Sequence, residues 1–232
     1  MTIDHPELCA DIIRAARAMN DLGINQGTSG NVSARRPDGA GILITPTSLP
    51  YDQMTPADIV HLEFDGGYRG RRRPTSEWRF HRDILRERDN VDVVLHTHSV
   101  YATSLAVHHR EIPAFHYMVG VAGGHNIRCA DYATFGSQAL SDHILVALRE
   151  RSACLMAQHG LVVVAKTLDK ALWLAMEVET LAKQYIHALA LGEPPVLSDA
   201  EMDRVLAQMR RMSYGQAPHL EGVDDSPRAL DA

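Results

Sequence analysis

The sequence VDVVLHTH, residues 91–98, is the stretch that decides the fold of this chain. Its run of β-branched and apolar residues from Val91 to Leu95 predicts a buried strand. Side chains two residues apart on a strand point to the same face, so His96 and His98 project together. One metal ion needs two ligands placed in this way, but the pattern alone is as typical of histidines satisfied in a protein core. A third ligand elsewhere would favour the metal.

A second apolar run, residues 153–158, leads to that third histidine. His159 ends the run, and Gly160 after it lets the chain turn close to a ligand. Alone, His159 would be interpreted as a strand-end histidine bonded to backbone. With His96 and His98 it completes three neutral imidazoles that leave one coordination position open, as in catalytic metal sites. The sequence therefore predicts one divalent ion, whose identity imidazole does not fix, because iron, cobalt, nickel and copper also accept it.

Three turn-rich segments carry donors for an anion. Glu77 follows Thr75 and Ser76 at a predicted helix N-terminus, where free N–H groups attract negative charge. Ordinary helix capping is the competing interpretation, and helix rules alone favour it. Residues 27–31 and 45–48 combine glycine, hydroxyl and amide side chains, but each by itself is more simply a turn. The residues alone therefore leave an anion site open.

Helix and strand patterns alternate along the rest of the chain. A helical stripe ends near Gly23, and strand-like pieces follow at residues 32–35 and 42–45. The order predicts an α/β fold with a mixed, mostly antiparallel central sheet flanked by helices, and not a doubly wound sheet. Later helices are predicted to start at the N-caps Thr75 or Ser76, Ser137, Thr167 and Ser198.

Composition and charge limit the class of protein. A chain of 232 residues with 45% hydrophobic content can bury one core, and we predict a single domain over residues 1–215 with a flexible tail over residues 216–232. The net charge of -6 argues against nucleic acid or a membrane surface as partner. No apolar stretch approaches the roughly 20 residues of a membrane helix. With no secretory pattern and three scattered cysteines, the sequence predicts a reduced, cytoplasmic protein.

Taken together, the motifs resemble the class II aldolase and adducin family. The segment 168–181 and the pair Tyr214 and Gly215 match, so the resemblance covers nearly all of the chain up to Tyr214. It implies the three-layer α/β fold of that family. The other matching segments are LGINQGTSGNVS (22–33), ILITPTSLPY (42–51), PTSEWRFH (74–81), VLHTH (94–98), IPAFHYM (112–118), YATFG (132–136) and QHGL (158–161).

The resemblance also implies roles for individual residues at a metal site. One zinc ion per subunit would be held by His96, His98 and His159. Glu77 would be a fourth ligand that swings away to act as the acid/base, for which burial would have to raise its pKa toward neutrality. Tyr117 would reach the site from the neighbouring subunit of a homotetramer whose active sites lie at subunit interfaces.

A phosphorylated sugar is the substrate that the resemblance implies. Ser48 occupies a position where the family resemblance leads us to expect glycine. This difference does not change the implied reaction type, but it leaves the identity of the sugar undecided. The aldehyde end of the substrate would meet Thr28, Phe135 and Tyr214. The phosphate would be held by Gly30, Asn31, Thr47, Ser48, Thr75 and Ser76.

The implied reaction is the reversible cleavage of a ketose 1-phosphate, such as L-fuculose 1-phosphate, to dihydroxyacetone phosphate and an aldehyde. Tyr117 would take the proton of the C-4 hydroxyl. Glu77 would protonate C-3 after the bond between C-3 and C-4 breaks. Alternatives of the same family are a salvage aldolase for 5-deoxyribulose 1-phosphate or 5-methylthioribulose 1-phosphate, a pentulose-5-phosphate 4-epimerase and a methylthioribulose-1-phosphate dehydratase. A metal-free, adducin-like binding module is disfavoured, because this chain carries the three histidines and Glu77 together.

Overall fold

The computed structural model describes residues 4–212 and 214, and in this part of the chain eight strands form one sheet. The predicted tail, residues 216–232, lies outside the described residues. The strands are β1 (Asn31–Arg35), β2 (Gly41–Ile44), β3 (Val60–Glu63), β4 (Tyr68–Arg69), β5 (Val93–Thr97), β6 (Cys129–Ala130), β7 (Ala153–Met156) and β8 (Gly160–Ala165). The helices are α1 (Pro6–Asp21), α2 (Trp78–Glu87), α3 (Val100–Ala106), α4 (Gln138–Ala147), α5 (Leu168–Leu189) and α6 (Asp199–Arg211).

The sheet is mixed and almost entirely antiparallel, as the sequence predicts. Its strand order is β4-β3-β2-β1-β5-β8-β7-β6. Only the short pair of β6 and β7 is parallel among the described strands. Strand β5 lies near the centre, where it pairs with β1 and β8, and all five of its residues are buried. This confirms the buried strand predicted from residues 91–95.

Helices cover both faces of the sheet and make two separate cores. Because side chains alternate along a strand, Leu95 packs into one core and Val94 into the other. The first core also contains Ile12 of α1, Leu105 of α3 and Val178 of α5. The second core contains Ile84 of α2 and Ile144 of α4. His96 has the parity of Val94, so β5 delivers it to the face on which α2 begins.

Three of the four predicted helix starts are confirmed. The side chains of Ser137, Thr167 and Ser198 accept hydrogen bonds from backbone N–H groups at the starts of α4, α5 and α6. The predicted capping of α2 by Thr75 or Ser76 is wrong. Glu77 occupies the N-cap position, without a side-chain capping bond. The Thr75 hydroxyl lies outside the helix and accepts hydrogen bonds from the backbone N–H of Glu77 and from the Asn31 side chain.

Helix α3 was not predicted from the sequence. It has seven residues and begins directly after the strand and its histidines, so it is too short to show a helical period of its own. Among the helices of the described residues, none combines the length and the hydropathy that a membrane span would require.

Candidate active site

Three strands bring the predicted histidines together. His96 lies in β5, His98 follows it, and His159 lies in the tight turn between β7 and β8, where its N–H donates to the carbonyl of Met156 at 3.0 Å. Antiparallel pairing of β5 with β8 sets this turn beside His98. One ring nitrogen of each histidine lies within 4.8 Å of the others. The ring centroids are 4.9 to 5.0 Å apart, so the three rings surround one point.

The protonation pattern leaves lone pairs directed at that point. The Nδ1 of His96 lies 2.9 Å from the carbonyl oxygen of Leu161, which accepts its hydrogen and leaves Nε2 bare. Burial, with His96 and His159 nearby, lowers the pKa of His98 to about 4, so this imidazole is neutral at physiological pH. The Nε2 atoms of His96 and His98 are buried without a hydrogen-bond donor among the described residues.

Glu77 completes the arrangement from the N-cap position of α2. Its side chain is almost fully buried, and its carboxylate oxygens lie 3.2 Å from Nε2 of His96 and 3.1 Å from Nε2 of His159. The bare Nε2 of His96 and the carboxylate oxygen beside it both present lone pairs, so this contact is favourable only with a cation between them. Three nitrogens and one oxygen are a donor set that fits a divalent transition metal such as zinc.

The pKa of Glu77 differs from the sequence-based expectation. Burial raises it, but the neighbouring His96 and His159 lower it further, and the net pKa lies well below its usual range. The expectation that burial would bring this pKa toward neutrality is therefore wrong for the observed position. Sequence reasoning considered burial alone, which raises the pKa. His96 and His159 lower it, because positive charge at their ring nitrogens, such as a bound cation supplies, stabilises the ionised carboxylate.

A cavity of about 400 Å³ opens beside the histidines and Glu77. Its wall includes His98 and His159, whereas His96 lies behind them, fully buried. One end is rich in hydroxyl groups, backbone amides and glycine, and Ser48 at this end has a φ of 56°. The predicted substrate residues that line the cavity are Thr28, Gly30, Asn31, Thr47, Ser48, Thr75, Ser76 and Phe135.

Tyr117 and Tyr214 do not line this cavity. They lie together against α6, with 47% and 41% of their surface exposed. Burial and the hydrogen bond to Tyr117 raise the pKa of Tyr214. Within one chain, the two tyrosines therefore lie beside each other and outside the cavity that holds the histidines. The role expected for Tyr117 in a neighbouring subunit's site, and that of Tyr214 at the aldehyde end, stay predictions.

Several residues of the site were given no role from the sequence. Tyr132, Ala133 and Gln158 line the cavity. Gln158 has a φ of 53°. Its position directly before the predicted ligand His159 was the sequence feature that could have indicated a place in the site. His81, which was also given no role from the sequence, is fully buried and is linked to Glu77 through Asn31. Its signal was the four-residue spacing from Glu77, which puts both residues on one face of a helix.

Comparison with known proteins agrees with this geometry. Residues 10–186 match the family described as class II aldolase and adducin N-terminal domain. The 5-methylthioribulose-1-phosphate/5-deoxyribulose-1-phosphate aldolase of Rhodospirillum rubrum is 49% identical over 209 residues, which are 90% of this chain and 93% of that protein. The L-fuculose phosphate aldolase of Escherichia coli K12 is 45% identical over 214 residues, 92% of this chain and 98% of that protein. A solved L-fuculose 1-phosphate aldolase superposes with a TM-score of 0.86 at 33% identity, over 90% of this chain and 98% of that one.

Proposed function

The chain belongs to the class II aldolase and adducin N-terminal domain family, and we propose that it is a zinc-dependent aldolase that reversibly cleaves a ketose 1-phosphate, such as L-fuculose 1-phosphate, to dihydroxyacetone phosphate and an aldehyde. One observation carries this proposal. Bare imidazole nitrogens and the Glu77 carboxylate converge at the floor of a cavity whose other end is built from hydroxyl and amide groups. One end of the cavity can thus hold a metal ion and the other end a phosphate group.

The phosphate end of the cavity is formed by three separate loops. The first is at the start of β1, where Gly30 precedes the strand and Asn31 begins it. Thr47 and Ser48 follow β2, and Thr75 and Ser76 precede α2. The backbone N–H groups at the start of α2 and the hydroxyl groups around them offer hydrogen bonds to a dianion. The backbone of Gly30 has no room for a side chain, because a Cβ there would stand 2.5 Å from the carbonyl oxygen of His96. Gly30 therefore packs directly against β5, the strand that carries His96.

The three histidines and Glu77 would hold the metal. Glu77 would also transfer the proton at C-3. When bound, a divalent ion supplies Lewis-acid stabilisation of the negative charge that develops as the bond between C-3 and C-4 breaks. Glu77 delivers a proton to C-3 in the cleavage direction and removes it in the reverse direction. Its low pKa beside His96 and His159 means that it can carry this proton only after it has moved away from their ring nitrogens.

The proton of the C-4 hydroxyl requires a base at the other end of the substrate. We assign this role to Tyr117 of a neighbouring subunit in a homotetramer. In one chain Tyr117 is half exposed and does not line the cavity, so it is available to the cavity of another copy. Tyr214 lies beside it and would enter the same neighbouring site. Thr28 and Phe135 line the cavity from within the chain and would meet the aldehyde end.

A salvage aldolase for 5-deoxyribulose 1-phosphate or 5-methylthioribulose 1-phosphate is the second candidate. Tyr132 and Phe135 expose 54% and 66% of their surface at the cavity region. Aromatic surface of this kind suits a methyl or thioether tail better than a hydroxylated one. The 49% identity to an aldolase of that name points in the same direction. A 4-epimerase or a dehydratase would use the same metal ligands, and a cytoplasmic location suits all of these reactions.

Substrate cleavage with metal control tests both candidates. The purified protein is incubated separately with L-fuculose 1-phosphate, 5-deoxyribulose 1-phosphate and 5-methylthioribulose 1-phosphate, and release of dihydroxyacetone phosphate is followed. Release that a chelator stops and Zn²⁺ restores supports the aldolase, and the preferred sugar selects the substrate. Without release from any of the three, the aldolase proposal fails for these sugars. Assays for a 4-epimer and for a diketone product then distinguish the remaining reactions.

A further inference from the structure

A chain of hydrogen bonds behind the cavity connects four buried residues. The Ser33 hydroxyl lies 2.7 Å from Nδ1 of His81, whose Nε2 contacts Oδ1 of Asn31. The amide nitrogen of Asn31 lies 3.1 Å from Oε2 of Glu77 and 3.2 Å from the Thr75 hydroxyl. Ser33, His81, Asn31 and Glu77 all have 5% or less of their surface exposed. The chain thus runs from the interior of the sheet to the candidate metal centre.

The direction of each hydrogen bond follows from the carboxylate at its end. An ionised Glu77 can only accept, so the Asn31 atom facing it must be the NH₂ group. The other Asn31 atom is then the carbonyl oxygen, which needs a donor, and Nε2 of His81 must carry a hydrogen. Burial lowers the pKa of His81 to about 3, so the ring is neutral and its Nδ1 is bare. Ser33 therefore donates its hydroxyl hydrogen to Nδ1, and every polar atom of the ring is satisfied.

We propose that His81 is a positioning residue for this site, which locks the Asn31 side chain with its NH₂ group toward Glu77 and the phosphate loops. Its catalytic meaning rests on the aldolase function proposed above. A hydrogen-bond donor at Nε2 holds the Asn31 carbonyl away from the cavity. Without that donor the amide loses its orientation, and its carbonyl oxygen can turn toward the Glu77 carboxylate, where two acceptors repel each other.

Asn31 is the link because it borders both parts of the site. It precedes Val32 in β1, pairs with His96 in the sheet register and lines the cavity beside Thr75. Its two N–H groups are occupied by Glu77 and Thr75, which is the arrangement before substrate binds. A phosphate that takes one of these N–H groups removes a hydrogen bond from Glu77. The locked amide thereby connects occupation of the phosphate loops with release of the acid/base.

The tautomer of His81 is tested without substrate. Nitrogen-15 NMR of histidine-labelled protein is recorded between pH 8 and pH 5.5 for the wild type and for His81→Gln. We expect the variant to lose one ring with a protonated Nε2 and a bare Nδ1, which stays neutral throughout this range. An Nδ1-protonated ring or an imidazolium at this position overturns the proposal. His96, which donates from Nδ1, gives the opposite pattern as an internal reference.

The positioning role is tested by matched substitutions. His81→Leu removes the donor and should lower kcat/KM by about 10- to 100-fold, the loss expected when the Asn31 amide no longer donates to the charged Glu77 carboxylate. His81→Gln keeps an N–H near the Nε2 position and should recover most of that loss. His61→Leu, a half-buried histidine of β3 outside the cavity, is the control and should stay within about twofold of the wild type.

Outcomes of the two experiments separate the possibilities. Activity of His81→Leu within twofold of the wild type overturns the positioning role, and so does His81→Gln that is as impaired as His81→Leu. If His81→Leu does not fold, Ser33→Ala takes its place, because it removes the donor that holds Nδ1 bare. We expect a several-fold loss and an altered tautomer ratio there, and wild-type values for both overturn the proposal. Failure of the aldolase assay leaves the NMR result intact, so the two proposals can fail independently.

Discussion

Gly160 lies against Thr97 so closely that a Cβ at Gly160 would stand 2.5 Å from the Thr97 carbonyl oxygen. The same Cβ would lie 3.0 Å from Cδ2 of His98. Gly160→Ala should therefore push β8 from β5 and displace the histidines, with a loss of about 1–3 kcal/mol in the free energy of unfolding. Urea denaturation measures this loss, and metal titration should show weaker binding. Gly67→Ala, whose Cβ would meet only the exposed Asp65 side chain, is the control. Equal stability of the two variants would contradict the close packing.

The three histidines should bind one divalent ion per chain. His98→Ala removes one of three nitrogens and should weaken metal affinity by at least about 100-fold, since even loss of a residue that only orients a ligand costs about 10- to 100-fold. Titration of metal-free protein with Zn²⁺, followed by calorimetry, measures the change. His143→Ala provides the control, because that ring bonds to a backbone carbonyl away from the cavity. Similar affinities of the two variants would show that the metal binds elsewhere.

Part of this architecture could be predicted from sequence because it is local. The alternation of residues 91–98 predicts both the central strand and the common face of His96 and His98. The side-chain caps of α4, α5 and α6 follow from single residues that favour this position. The pairing of the sheet does not follow in this way. Nothing near His96 specifies that Asn31 is its partner across β1, and this pairing depends on the whole sheet.

The electrostatics of the site depend on the same long-range contacts. The amide of Asn31 and the carboxylate of Glu77, 46 residues apart, form a hydrogen bond. Burial of Glu77 could be anticipated, but the sign of its pKa shift required the distances to two histidines from other strands. Family resemblance supplied the roles proposed for individual residues, which periodicity could not supply. Tyr117 is an example, because its position within one chain does not show which cavity it would serve.

Glu77→Gln should separate metal binding from proton transfer. The amide keeps an oxygen for the metal but cannot carry the proton to C-3, so cleavage should fall by about 10²- to 10⁴-fold. Exchange of the C-3 proton of dihydroxyacetone phosphate with deuterium, followed by NMR, should fall equally. Glu63→Gln is the control for replacing a carboxylate with an amide, because Glu63 ends β3 and pairs with Arg36. Exchange at the wild-type rate in Glu77→Gln would assign the proton to another group.

Mixing of inactive variants should reveal a site shared between subunits. Tyr117→Phe would lack the proposed base, and His98→Ala would lack a proposed metal ligand, so each alone should retain at most about 1% of activity. If Tyr117 serves a neighbouring cavity, a mixed oligomer contains some sites with an intact His98 and an intact Tyr117 from the adjacent chain. Co-expression of the two variants with different tags, followed by tandem purification, should restore part of the activity. Mixed oligomers as inactive as the parents would place Tyr117 outside the reaction or within its own chain's site.

His81 should make folding stability fall in mild acid. Its pKa of about 3 in the folded protein lies below the value near 6.5 of an unfolded histidine. The unfolded chain therefore takes up a proton as pH falls through 6.5, whereas the folded chain does not until about pH 3. Stability from this residue is complete above pH 6.5 and declines by up to about 1.4 kcal/mol per pH unit below it. Burial is the main cause of the low pKa, with His96 lowering it and Glu77 raising it.

Urea denaturation in the presence of a chelator measures this effect. Between pH 7 and pH 5, the free energy of unfolding should fall by about 2 kcal/mol more for the wild type than for His81→Gln. The other titrating groups are present in both proteins, so parallel losses would mean that His81 is not held neutral.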